Sequence, residues 1–213
     1  YRLTGGNITT TNGVILKVQL NAGDTNEIKY RANLMTGTGS SYILLGDGAV
    51  YDMQLFNANP ISTVALHAGN FVEDTTDPHL VSFSVSMDSH TITLNFDETV
   101  NSSTLSTTAI TVQHGPASTA SQSVTLTTGN TTSDNGLQVV VNLSREDMNA
   151  IKMNEGLLVD LASTWLRLTP AAIDDMNGNN VVNIGNGAAV QALGYTNDTQ
   201  SPTLEAFDLS MDT

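Results

Sequence analysis

Cysteine is absent from this 213-residue chain, so no disulfide contributes to its stability whatever its compartment. Positive charge is nearly as scarce: seven Lys and Arg stand against 21 Asp and Glu, for a formal charge of -14. Such a surface repels phosphate backbones and anionic headgroups, which argues against nucleic-acid binding. Apolar runs stay far below the roughly 18 residues that a membrane helix requires, so no membrane insertion is expected in these residues. Tyr1 does not begin a signal peptide, and any export signal or anchor is expected to lie elsewhere. Charged residues make up only 13% of the chain, while Thr, Ser, Asn and Gly are abundant. That composition fits an extracellular or cell-surface β protein better than a cytosolic enzyme.

What the chain does have is a copy of itself. The segment NGVILKVQLNAGDTNEIKYRANL from Asn12 returns 123 residues later as NGLQVVVNLSREDMNAIKMNEGL from Asn135. DTTDPHLVSFSVSMD from Asp74 returns 124 residues later as DTQSPTLEAFDLSMD from Asp198. A fixed period of this size is the signature of a tandem array. Three units follow from it: residues 1–73 as the C-terminal part of one repeat, 74–197 as a complete repeat, and 198–213 as the opening strand of a further repeat or a donor strand.

Within a repeat the dominant pattern is period two. Ile92, Leu94 and Phe96 alternate with Thr93, Asn95 and Asp97, as a half-buried strand requires. Val14, Leu16, Val18 and Leu20, with their counterparts Leu137, Val139, Val141 and Leu143, are predicted core faces, and Phe83, Val85 and Met87 match Phe207, Leu209 and Met211. Turn residues such as Asn12-Gly13, Asp134-Asn135-Gly136 and the Gly/Asn cluster at 177–180 separate the runs. One helix of about ten residues interrupts the strands. Ser144 is its predicted N-cap with Asp147 at the third helical position, and Asn21 with Asp24 repeats the arrangement. About seven short strands and one short helix per repeat predict an all-β chain of tandem Ig-like β-sandwich domains.

The residues DTTDPHLVSFSVSMDSHTITLNFDETVNSSTL, with DDMNGNN near the end of the repeat, resemble the bacterial-type Ig-like module of surface-layer and adhesin proteins. With IKMNEGL added, the longer pattern is similar to repeats in large cell-surface and flagellar-hair fibre proteins of algae and other protists. The resemblance implies a structural role: a subunit of an extracellular, glycosylated filament or surface appendage, with self-association or flanking repeats as partners. An adhesin or carbohydrate-binding stalk is the alternative. The first copy departs from the pattern, with Gln54, Leu55 and Phe56 where the second has Asn177, Gly178 and Asn179.

Several positions are candidates for chemistry. Sequons at Asn7, Asn101, Asn130, Asn142 and Asn197 are candidate N-glycosylation sites, and Asn7 and Asn130 are repeat equivalents. Asp175, Asn177 and Asn179 stand at alternate positions, the spacing of a calcium loop. No bidentate Glu follows, and a turn that caps its own backbone is the commoner explanation. The linker acids Glu73, Asp74 and Asp77 pose the same choice between calcium and solvated charge. Lys29 and Lys152 recur; a helix-surface Lys is the usual reading, and the adhesin resemblance adds a Lys–Asn cross-link. Trp165 and Tyr42 read as equivalent core aromatics, or as a sugar platform. The four His share no metal spacing, Asp97 and Glu98 fall on opposite strand faces, and no phosphate loop or nucleophile motif is present, so no enzyme is expected. The ends lack complementary strands, which makes Leu204, Phe207, Leu209 and Met211 candidates for strand addition to another subunit.

Overall fold

The computed structural model describes residues 1–56 and 61–211, with the side chains of 61–63 also left undescribed. In the first part of the chain lie β1 (Asn7–Ile8), β2 (Val18–Gln19), α1 (Ala22–Tyr30), β3 (Tyr42–Leu45) and β4 (Ile61–His67). In the second lie β5 (Leu80–Ser86), β6 (Thr91–Asn101), β7 (Ile110–Gln113), β8 (Ser123–Thr125), β9 (Gly129–Asn130), β10 (Gly136–Leu143), α2 (Arg145–Met153), β11 (Trp165–Leu168), β12 (Asp174–Asp175), β13 (Val190–Gln191) and β14 (Gly194–Thr196). Strands dominate and both α-helices are short, so the chain is β-rich; no described helix is long and apolar enough to cross a membrane.

Residues from Leu80 onward form two sheets around one core. One sheet runs β14-β5-β6-β10-β9, with β12 also paired to β6, and the other runs β13-β11-β7-β8. Phe83, Val85, Ile92, Leu94, Val139 and Val141 from the first sheet meet Ile110, Val112, Leu166 and Leu168 from the second in a single buried cluster, closed at one side by Met148 and Ile151 of α2. The period-two faces of β5 and β6 are therefore buried as their alternation predicts. Ten strands form where about seven were expected, because several are pairs of residues at the sheet margins. Leu137 is an exception to the expected core face: the β10 register against β6 shifts between Gly136 and Gln138, and this bulge turns Leu137 outward while Val139 and Val141 stay buried.

None of the described residues among the first 77 contributes to that cluster. Among the described residues of this part only Asp24 and Ser41 are buried, whereas Val14, Leu16 and Val18 are exposed. The expected core face of this copy is thus uncovered. β2 pairs with β1 over two residues, and no second sheet faces it among the described residues. Residues 203–211 belong to no strand, and Leu204, Phe207, Leu209 and Met211 are exposed; Asp212 and Thr213, the end of the expected opening strand, lie outside the described residues. Alternation records which side chains share a face and does not by itself bring a pairing strand alongside.

Local geometry nonetheless recurs between the two parts. β1 meets β2 with Asn7 opposite Gln19, and β9 meets β10 with Asn130 opposite Asn142, the same register 123 residues on. β3 meets β4 with Tyr42 opposite His67 and Ile43 opposite Leu66, matching Trp165 opposite Gln191 and Leu166 opposite Val190. The β1–β2 and β9–β10 pairings each begin from a backbone that only glycine suits. Gly6 and Gly129 have φ of 140° and 145°, and a Cβ there would lie 2.6 Å from the Gln19 carbonyl oxygen and 2.8 Å from that of Asn142.

Candidate functional site: the junction around Lys29

The helices are positioned first by their caps. Asn21 Oδ1 accepts the Asp24 N–H at 2.7 Å, and Ser144 Oγ accepts the Asp147 N–H at 3.0 Å, as the sequence predicts. Each Asp then reaches back to the preceding segment. Asp147 accepts from Thr127 N and Oγ1 and from Thr128 N; Asp24 accepts from Thr4 N and Oγ1, Gly5 N and the Tyr1 hydroxyl. These donors favour the ionised form. The Tyr1 hydroxyl is the largest influence on Asp24, which is held down at about 2. Burial works against the Asp147 charge, but the Thr127 and Thr128 donors outweigh it and lower its pKa. The shared Asp clamp fixes each helix in the same rotational setting, so Asn26 and Asn149, and Lys29 and Lys152, occupy equivalent faces.

On α1 that face is docked. Thr99 of β6 donates its backbone N–H to Asn26 Oδ1 at 3.2 Å and its hydroxyl to the Asn26 carbonyl at 3.1 Å. One turn on, the Lys29 ammonium is ion-paired with both Glu98 of β6 and Asp74 of the linker. The Lys29 side chain is only 19% exposed and Glu98 only 10%, so the charges are largely withdrawn from water. Burial opposes the ammonium, yet its two carboxylate partners prevail and raise the Lys29 pKa. The two acids respond in opposite directions. Burial raises Glu98, helped by the nearby negative charges of Asp74 and Asp175, and Lys29 only partly offsets this. Asp74 also meets a burial cost, but Lys29 and the Thr76 N–H reverse it and its pKa falls. A single ammonium cannot neutralise both of the carboxylates it touches, and Glu98, the more buried of that pair, keeps its proton the more readily.

Linker and turn complete the junction. Asn177 and Asn179 each donate a side-chain N–H to the Asp74 carbonyl, at 3.3 and 3.1 Å. Beside these contacts lies a cleft of about 470 Å³ lined by Ile28, Lys29, Phe71, Asp74 and Met176, among others. The candidate calcium turn is therefore part of the junction, and its internal geometry is that of a self-capping turn. Asp175 Oδ1 accepts the backbone N–H groups of Asn177 and Asn179, both at 2.8 Å, and Oδ2 accepts the Asn179 amide. Asp52 makes the same backbone bonds with Gln54 and Phe56, both at 2.9 Å. The two turns thus share their backbone geometry despite their different residues. Leu55 adopts φ of 65° where Gly178 has 90°, and the bonds missing beside Asp52 are those of the Asn177 and Asn179 amides, to the linker and to Asp175 Oδ2. Oxygens of Asp74, Glu98 and Asp175 lie within 4.8 Å of one another, and the Lys29 ammonium sits against two of these acids, where a bound cation would compete with it. Glu73 and Asp77 are exposed and outside this group.

The remaining sequence candidates scatter. Asn7, Asn130 and Asn197 are exposed. Asn142 is half-buried and donates to Asn130 Oδ1 at 3.0 Å, and Asn101 accepts from Ser103 in a local turn. Trp165 and Tyr42 are not core aromatics. Trp165 is half-buried with its indole N–H on the Ala162 carbonyl, and Tyr42 is 54% exposed, edge-on to His67; the neighbours Leu166 and Leu168 fill the core instead. The Lys29 side chain does not run along a solvated helix face but is held between carboxylates. Glu98, Asn26 and Thr99 were not legible as site residues. The repetition of Asn and Lys three residues apart on both helices is a signal for Asn26, whereas nothing in the sequence pattern marks Glu98 or Thr99. Comparison with protein-family models, with curated proteins and with solved structures finds no match to this chain.

Proposed function

We propose that this chain is a structural segment of an extracellular, N-glycosylated filament or surface appendage, built from tandem Ig-like sandwich repeats that dock head to tail. The observation that carries this reading is the junction itself. A helix of one unit is clasped by the linker and a strand of the next through Lys29, Asp74, Glu98, Asn26 and Thr99. Recurrence of strand registers, helix caps and Asp turns at one offset supports treating residues 1–73 and 74–197 as copies of one unit. Uncovered apolar residues at both ends, Val14 and Val18 on one side and Leu204, Phe207, Leu209 and Met211 on the other, support completion by flanking repeats or by strand addition from another subunit. The exposed sequons at Asn7, Asn130 and Asn197 support glycan attachment outside the core. Negative-stain microscopy of the secreted protein tests the proposal: regular filaments or beaded rods of constant spacing are expected, and dispersed single particles at high concentration would overturn it.

A further inference from the structure

α2 presents the same apparatus as α1 with half of it unoccupied. Asn149 and Lys152 stand where Asn26 and Lys29 stand on α1, behind an equivalent cap and an equivalent Asp clamp. The linker half of the clasp is already assembled. Lys152 Nζ is 2.6 Å from Asp198 Oδ2, as Lys29 is paired with Asp74. Gln200 donates its N–H to Asp198 Oδ1 at 3.0 Å, as Thr76 does to Asp74 Oδ1 at 3.1 Å. The strand half is different: no described residue takes the place of Glu98 and Thr99 at α2. The Lys152 side chain is 42% exposed against 19% for Lys29, and Asn149 is exposed where Asn26 is half-buried.

We propose that the Asn149–Lys152 face of α2, with Asp198, is the docking site for a further copy of this repeat, which would supply its own Glu98–Thr99 strand end. This rests on the array reading above and names the partner and the contacts. Charge selects the partner. With Asp198 alone Lys152 is neutralised one to one in water, whereas Lys29 is shared between two acids, so α2 has room for a second, desolvating carboxylate. Geometry adds the rest, because Asn149 offers a carbonyl and an amide oxygen one turn before the ammonium. A strand end with an N–H, a hydroxyl and a neighbouring carboxylate fits both at once. The copy seated on α1 in this same chain is the precedent for the fit.

The test extends the full chain at Thr213 with a second copy of residues 90–213, which continues the repeat in phase because residues 198–213 correspond to 74–89. Zero-length carbodiimide coupling then reads the contacts, with Lys29 to Glu98 as the internal standard. The expected result is a Lys152 cross-link to the appended copy's Glu98, and about tenfold or greater slowing of amide exchange at the appended copy's Thr99, lost in Lys152→Met and in Asn149→Ala. A Lys29–Glu98 cross-link without its Lys152 counterpart would overturn the proposal. Should the extension fail to fold, the unextended Asn26→Ala/Lys29→Met chain decides, since it frees Glu98 and Thr99 for α2 of another molecule. Concentration-dependent Lys152–Glu98 coupling between molecules supports the proposal, and its absence at millimolar protein overturns it. Filament formation with no such cross-link would reject this docking face while leaving the array intact.

Discussion

Replacing Lys29 with Met separates the junction from the core energetically. The substitution removes the only cation paired with Glu98 and Asp74 among the described residues and leaves two poorly solvated carboxylates facing each other, with Asp175 close by. Exposed ion pairs contribute about 0–1 kcal/mol, and breaking a buried one costs about 3–5 kcal/mol. The side chains here are 19%, 23% and 10% exposed for Lys29, Asp74 and Glu98, which places the cost between those limits, at about 2–3 kcal/mol. Such a change multiplies the opening of α1 from β6 by about 30–150-fold. Because no described residue among the first 77 lies in the core cluster, that cost falls on docking and not on the two-sheet unit. Amide hydrogen exchange is the assay. The Thr99 N–H, held by Asn26 Oδ1, loses protection by that factor, while the N–H groups of Val85, Leu94 and Val141 keep theirs. Adding Glu98→Gln to Lys29→Met restores part of the loss by removing one of the opposed charges. Equal loss at Thr99 and in the core strands, or no loss at Thr99, would refute the reasoning.

Three further outcomes follow from the same geometry. Asp147→Ala strands donors at Thr127 and Thr128 and is expected to lower global stability by about 2–4 kcal/mol in urea unfolding, whereas Asp24→Ala changes exchange only around α1 and residues 1–5. Leu166→Ala, at a fully buried position, is expected to cost about 3 kcal/mol, while the repeat-equivalent Ile43→Ala, 48% exposed, stays within about 0.5 kcal/mol; calorimetry of the two variants compares them directly. The pH dependence has two components, with Asp147 read in the urea midpoint and the junction acids Asp74 and Glu98 in the opening of α1 from β6, followed by Thr99 exchange corrected for its intrinsic rate. Asp74 and Asp147 are depressed, so their stabilisation is complete above the ordinary carboxylate range and is lost as pH falls through their lowered values. Glu98 is raised, so its contribution is greatest at low pH and declines as pH climbs from the ordinary Glu value through the raised one; Glu98→Gln removes that decline and leaves the acid limb.

Legibility in the sequence followed the range of the interactions involved. Helix caps were readable because Asn21 with Asp24, and Ser144 with Asp147, act within one turn. The alternation of Ile92, Leu94 and Phe96 was readable because strand pleating alone sends successive side chains to opposite faces. Leu137 was misread since a bulge, a property of the pair β10 and β6, resets the phase of one strand. Val14 and Val18 share the alternation of a core face yet are exposed, because alternation records which face is apolar and not whether another sheet covers it. At the junction the sequence offered Lys29 and Lys152 as a recurring pair but gave no reason for the recurrence. Its reason is Glu98, 69 residues away, brought beside Lys29 only by the packing of α1 on β6.

By itself, then, the sequence determined the spacing of its similar segments, the β-rich class, the caps and the inward faces of β5 and β6, the last three set by backbone geometry and local spacing. The tertiary structure decided which apolar faces are covered, turned the calcium-spaced Asp175 turn into a grip on the linker, and assembled Lys29, Asp74 and Glu98 from three separate segments. Desolvation and charge pairing act through space, so their partners become defined only once the strands have been brought together.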